Sequence, residues 1–297
     1  MDSELKKILQ DNTSGSTTLT IHALHYFKGI IDTMKPDAAS VEDAFHQIQD
    51  GGKMLVKAQP NMALLRYAFS SLLQFYKRLQ KTEKSHNKIV QDLQVKVESL
   101  EKEIQGNIQK IASGSSRIMA SFNKIMTTSN STIVRLALEK AHDQKKKIEV
   151  YCLKSHPPDE GVVLAEGLAK KGIKTTLLAD AGAAHFLPEM NMVLIGADRL
   201  YEDGFINKAG TLALCLTAEY LNIPVYLSVE TTKILKESER AIKQRSAAKE
   251  EVYAGKSKKI QVENIYFERV PIKLVSKVIC EEGVFETHEF IKWFLGE

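Results

Sequence analysis

The sequence predicts an α/β protein: a helical N-terminal domain, residues 1–114, followed by a Rossmann-like, mainly parallel sheet domain, residues 115–297. Three observations carry this reading. Ahead of residue 115, apolar residues recur at helical spacing and almost nothing has strand character. Beyond it, short apolar runs alternate with amphipathic segments of about 10–15 residues, the order of a parallel sheet covered on both faces. One such run, Met192–Ile195, leads straight into Gly196-Ala197-Asp198-Arg199. That puts a carboxylate at a strand's carboxyl end, where open α/β sheets bind ligands.

In the helical part, the longest periodic stretch is 60–111. Val90, Leu93, Val97, Leu100, Ile104 and Ile111 follow a three–four alternation, interrupted at Asn107, while Lys96, Glu98, Glu101, Lys102 and Glu103 occupy the other faces. So narrow a seam buries against one partner helix or a sheet edge, and it reads as a long helix linking and bracing two domains. An independent coiled-coil dimer is the alternative.

In the second part, a strand begins at 124–126, and Ser131 or Thr132 caps a helix running to about His142. The next strand is 147–153. Pro157-Pro158-Asp159-Glu160 then opens a helix through Lys171, with proline and acids at its positive end. A third strand, 173–179, ends at Asp180 and precedes a short helix around 183–186. The fourth strand is Met192–Ile195, and 207–221 reads as the helix after it. Strands at 224–228, 265–267 and 275–280 complete the set.

Parallel strands send their carboxyl ends to one rim, so Ser129, Asp180 and Asp198 are expected along it. The turn 127–132, which includes Thr128, Ser129, Asn130 and Ser131, offers hydroxyls and helix-opening N–H groups that suit a phosphate or another anion; the rival role for 129–132 is helix capping alone. Asp180 is either a rim residue or a capping aspartate. Asn207 and Lys208, read as opening a helix, would bring a cation to the same pocket. Asp198 reacts, caps, or pairs with Arg199 or Lys208.

Composition excludes several classes. A net charge of +4 is too mild for a general nucleic-acid binder, and no stretch is apolar enough to span a membrane. The N-terminus has no apolar signal core, so a cytoplasmic protein is expected. Cys152, Cys215 and Cys280 share no CxxC or Cys/His spacing, which predicts reduced core thiols and no metal site. Neither Gly51-Gly52 nor Gly114 sits in a dinucleotide fingerprint, and no Walker or HExxH sequence occurs, so no cofactor is expected. His156 and His185, near the rim, read as surface or packing residues. Residues 233–259 hold nine Lys and Arg against four acids, with Tyr253 the one aromatic. This basic stretch is a solvated helix or loop, or else a surface for an acidic protein or RNA backbone.

Taken together, Ser14-Gly15-Ser16, Ala58-Gln59-Pro60, 125–131, Asp159-Glu160-Gly161, Asp180-Ala181, 196–211 and Ile279-Cys280-Glu281-Glu282-Gly283 resemble a known family. It comprises the α, β and δ subunits of translation initiation factor 2B and two metabolic relatives, methylthioribose-1-phosphate isomerase and ribose-1,5-bisphosphate isomerase. The likeness spans nearly the whole chain. It implies a helical N-terminal domain, a Rossmann-like C-terminal domain and a homodimer formed through the latter.

In the isomerase branches a cysteine and an aspartate interconvert an aldose 1-phosphate and a ketose 1-phosphate. The aspartate falls on Asp198, but the cysteine falls on Ser129. A cysteine titrates near ~8.5, whereas a serine needs an adjacent base, and the neighbouring sequence supplies none. Arginine-bearing segments of the isomerases fall on 13–18, on Lys57-Ala58-Gln59-Pro60 and on Ser155-His156-Pro157, which lack the arginines. The resemblance therefore implies a non-catalytic regulatory or scaffold protein with a translation-factor partner. Ser129, Asp198 and Lys208 would form a repurposed pocket for a phosphorylated sugar or nucleotide. The rival is an active aldose–ketose isomerase, with Asp198 as general acid/base and Ser129 orienting the substrate hydroxyl.

Overall fold

The computed structural model describes residues 3–83, 85–121, 123–234, 247–255, 257 and 259–296. The chain divides into two compact units, Met1–Gly106 and Asn107–Glu297. The first is built from α1 (Ser3–Gln10), α2 (Ser16–Asp32), α3 (Ala38–Ala58), α4 (Ala63–Thr82) and the start of α5 (His86–Ile118). Leu24, Phe27 and Ile31 from α2, Ile48 and Leu55 from α3, Leu64 and Leu72 from α4 and Leu93, Val97 and Leu100 from α5 share one core.

The periodic stretch at 60–111 is two helices rather than one. Glu83 is extended, and the Ser85 carbonyl and hydroxyl accept the first amides of α5, so the helical ladder restarts there. The buried seam of α5 begins at Ile89 and runs through Leu93, Val97, Leu100, Ile104, Ile108 and Ile111, leaving Val90 half-buried.

The second unit alternates strands and helices as expected. Its elements are β1 (Lys124–Thr127), α6 (Thr132–Asp143), β2 (Glu149–Leu153), α7 (Glu160–Lys170), β3 (Lys174–Leu178), α8 (Ala183–Phe186) and β4 (Met192–Ile195). There follow β5 (Arg199–Leu200), β6 (Gly204–Lys208), α9 (Thr211–Tyr220), β7 (Val225–Ser228), β8 (Phe267–Pro271), β9 (Lys277–Cys280), β10 (Gly283–Glu286) and α10 (Thr287–Leu295).

Seven strands form one sheet in the order β10-β9-β7-β4-β1-β2-β3, parallel throughout except for β10. Alternate side chains feed opposite layers: Met126, Val193 and Ile195 enter one core, and Ile125, Met192 and Leu194 the other. The chain steps outward from β1 to β3, then returns to β4 on the far side of β1. That reversal makes the gap between the carboxyl ends of β1 and β4 the topological switch point, the usual ligand crevice of such sheets.

Two sequence expectations change here. The expected helix at 207–221 starts only at Thr211, because 204–208 form β6, fully buried between β5 and β8 in a separate three-stranded antiparallel sheet. Gly210, at φ 96°, supplies the left-handed turn between this strand and α9. The strand expected at 265–267 begins at Phe267 and belongs to that small sheet, not to the main one.

All three cysteines are buried and unpaired. No described helix is long and apolar enough to cross a membrane.

Gly161 lies under the end of β2: a methyl group there would sit 1.9 Å from the Leu153 carbonyl oxygen and 3.0 Å from that of Lys154. Backbone cannot yield as a side chain can. Gly161→Ala is therefore expected to cost about 3 kcal/mol or more of stability, read as a drop in the urea midpoint. An unchanged midpoint would refute this packing.

Candidate functional site

The loops after β1 and β2 are stitched together by small polar groups. Ser155 Oγ accepts the Ser129 amide at 2.7 Å and lies 3.1 Å from Thr128 Oγ1. Asp180, just beyond β3, uses both carboxylate oxygens to accept the amides of Ser155 and His156, at 2.8 and 2.9 Å. Asp180 thus braces the neighbouring loop rather than capping its own segment. Ser131 caps α6, accepting the Val134 amide at 3.4 Å. Across the switch point, a methyl group on Gly196 would lie 2.7 Å from Ser131 Oγ, so the end of β4 packs directly on the loop after β1.

The backbone is strained where these loops meet. Ser129, Ser155 and Asp159 have φ of 67°, 64° and 74°, a region that side-chain-bearing residues avoid. Lys145 and Asn222 are the other described non-glycine cases, both outside these loops. Strain concentrated in two adjacent strand-end loops marks a place the surrounding fold over-determines.

At the centre is a buried ion pair. Lys208 Nζ lies 3.1 Å from Glu160 Oε2, with the lysine and glutamate side chains 2% and 8% exposed. The ammonium also donates to the Pro157 carbonyl and lies 4.9 Å from the Tyr266 ring centroid. Ser129 Oγ donates to the other Glu160 oxygen at 3.0 Å. Burial pushes the Glu160 carboxyl above its ordinary range against the pull of Lys208, and burial pushes the Lys208 ammonium below its own. Glu160 is the base beside Ser129 that the neighbouring sequence lacks, brought there from 31 residues away.

The structure therefore joins Thr128, Ser129, Asp180 and Lys208 in one hydrogen-bonded cluster. Lys208 reaches it from β6, not from a helix start. Asn207, on the opposite face of that strand, turns to Thr211 Oγ1 at 3.1 Å. Asn130 and Asp198 are half-buried at the ends of β1 and β4, with the Asp198 amide bonded to the Ile206 carbonyl at 2.9 Å. His156 pairs with Asp159 at 2.7 Å on the exposed side of its loop.

Sequence reasoning missed Glu160, Ser155 and Tyr266 as site residues. An acid in the first turn after a Pro-Pro-Asp opening reads as dipole compensation, and only its burial betrays more. Of the basic stretch, Lys236, Arg240, Lys243, Arg245, Lys256 and Lys258 lie outside the described residues. Lys233 turns inward, buried on the Ala197 carbonyl at 2.9 Å.

A model of the initiation factor 2 subunit family, IF-2B, matches residues 12–287. The chain belongs to that family. It is 27% identical to ribose 1,5-bisphosphate isomerase of Methanocaldococcus jannaschii over 82% of this chain and 78% of the relative. It is 26% identical to a putative translation initiation factor eIF-2B subunit 2-like protein of Pyrococcus horikoshii over 94% of both. Its fold matches the crystal structure of 5-methylthioribose 1-phosphate isomerase from P. horikoshii OT3 with a TM-score of 0.82 at 18% identity, covering 99% of this chain and 87% of the other. Family membership bears out the resemblance read from 125–131 and 196–211, and the shared fold bears out the helical region followed by a mainly parallel sheet. The family spans both factor-like proteins and isomerases.

Removing one member of a buried ion pair strands the other charge. Lys208→Met is expected to cost about 3–5 kcal/mol in denaturant unfolding, with part of the loss recovered by adding Glu160→Gln. Equal stability of Lys208→Met and the parent would contradict the buried pair.

Proposed function

We propose that this chain is a regulatory or scaffold member of the IF-2B family whose switch-point pocket holds a phosphorylated sugar or nucleotide without turning it over. The observation that carries this reading is the state of the chain's oxygen and sulfur nucleophiles. Position 129, where the resemblance puts the isomerase cysteine, is a serine hydroxyl already committed to Glu160. No thiol elsewhere replaces it. Burial raises Cys152 and Cys215 to about 12 and Cys280 to about 11, far from a thiolate at neutral pH. Thr128, Asn130 and Ser131 around the start of α6, with Asp198 across the gap and Lys208 opposite, are the groups assigned to ligand contact; Asp180 braces the loop after β2, and Asn207 faces away toward Thr211.

One observation favours a second reading, an aldose–ketose isomerase. A buried carboxyl held above its ordinary range suits proton transfer near neutral pH, and Glu160 is in contact with Ser129. Here Glu160 and Asp198 would share the acid–base work.

Thermal unfolding with sugar phosphates and nucleotides, run beside a turnover assay, separates the two. A bound ligand at a hundredfold excess over its Kd stabilises the fold by about 2.7 kcal/mol. The regulatory reading expects that stabilisation with no conversion of ribose 1,5-bisphosphate or methylthioribose 1-phosphate. Robust turnover, abolished in Glu160→Gln, would overturn it in favour of the enzyme. A homodimer through the 107–297 unit belongs to the same reading. Light scattering should then give twice the 33.3 kDa of one chain, and a monomer at micromolar concentration would count against it.

A further inference from the structure

An ammonium group has three N–H donors, and a buried one must place all three. Two of those on Lys208 go to Glu160 and to the Pro157 carbonyl. The ammonium also lies over the Tyr266 ring, 4.9 Å from its centroid. An aromatic face carries the negative part of its quadrupole, so it attracts a desolvated cation without adding a second formal charge.

The Tyr266 backbone is anchored just ahead of β8. Phe267 lies directly opposite Lys208 in the β6–β8 ladder, and the Tyr266 carbonyl accepts the Ala209 amide at 2.8 Å, extending the pairing by one residue. The far end of the ring is fixed as well. Tyr266 Oη donates to Glu251, 2.6 and 2.7 Å from its two carboxylate oxygens, and Glu251 also accepts from Asn264 Nδ2 at 2.9 Å. Burial and the Glu251 carboxylate push the phenol well above its ordinary range, so it stays neutral and keeps donating.

We propose that Tyr266 is the positioning residue of the pocket lysine: its ring face, rather than its hydroxyl, carries the Lys208 ammonium. That Lys208 then meets a ligand rests on the reading above; the positioning does not.

The test is a pH titration of the Lys208 side chain by carbon-13 lysine NMR in the full chain, comparing the parent with Tyr266→Leu, Tyr266→Met and Tyr266→Phe. Glu160, Asp180 and Glu251, the charged groups that act on Lys208, are unchanged in every variant. Loss of the ring favours the neutral amine. The protonation constant should fall about tenfold in Tyr266→Leu and Tyr266→Met, and stay near the parent's in Tyr266→Phe. Using both Leu and Met guards against one variant failing to fold. An unmoved midpoint in the ring-less variants overturns the proposal, as does a Tyr266→Phe midpoint that falls with theirs. Inorganic phosphate, titrated into the same samples, judges the ligand reading separately. Its failure to bind the parent would sink that reading and leave the lysine titration to decide the positioning.

Discussion

A lysine and a glutamate that water scarcely reaches hold the strand-end loops in their present form. Lys208 comes from the small antiparallel sheet and Glu160 from the first turn of α7, so their contact joins two parts of the second unit that no strand ladder connects. Burying either charge alone is costly, and together they are tolerated because each finds further partners. Glu160 accepts from Ser129, and Lys208 donates to the Pro157 carbonyl. The loops after β1 and β2 are thereby tied to the same pair. The Asp180 carboxylate and the Ser155 hydroxyl add further bonds around this centre, and those bonds hold backbone that would otherwise relax out of its left-handed turns.

The electrostatics differ in kind from those of a thiol-bearing site. A cysteine in the β1 loop would hold a proton that water near neutral pH can take. The serine there holds one that only a well-placed base can share, and its nearest base is already paired with a lysine. The result is a polar network whose members satisfy one another before any small molecule arrives. Any ligand entering this network must exchange with bonds already made.

Much of the fold was legible because local pattern and tertiary arrangement agree. The four apolar residues of β4 followed by Gly196 and Asp198, and the Ser131 cap ahead of α6, are features that short-range rules detect. What escaped depended on long-range pairing. Residues 207 and 208 read as the opening of a helix because Asn207 can cap and a helical run follows, yet their backbone is claimed by β8. The break between α4 and α5 falls in 80–88, a run without a single apolar residue, which a reading centred on the seams at either side passes over. In the site, Ser129 and Lys208 were legible as residue types. Glu160 as the link between them was not, because its burial arises only when the start of α7 meets Lys208 of β6 and Ser129 of the β1 loop.

The left-handed turn at Ser129 restricts what that position can become. With φ at 67°, a branched side chain would collide with its own backbone, so threonine or valine is shut out, whereas glycine, asparagine and small unbranched residues fit. Exchanging sulfur for oxygen is among the few edits that leave the path of the chain untouched while changing acidity by several orders of magnitude. The scaffold around position 129 therefore tolerates that exchange without being rebuilt.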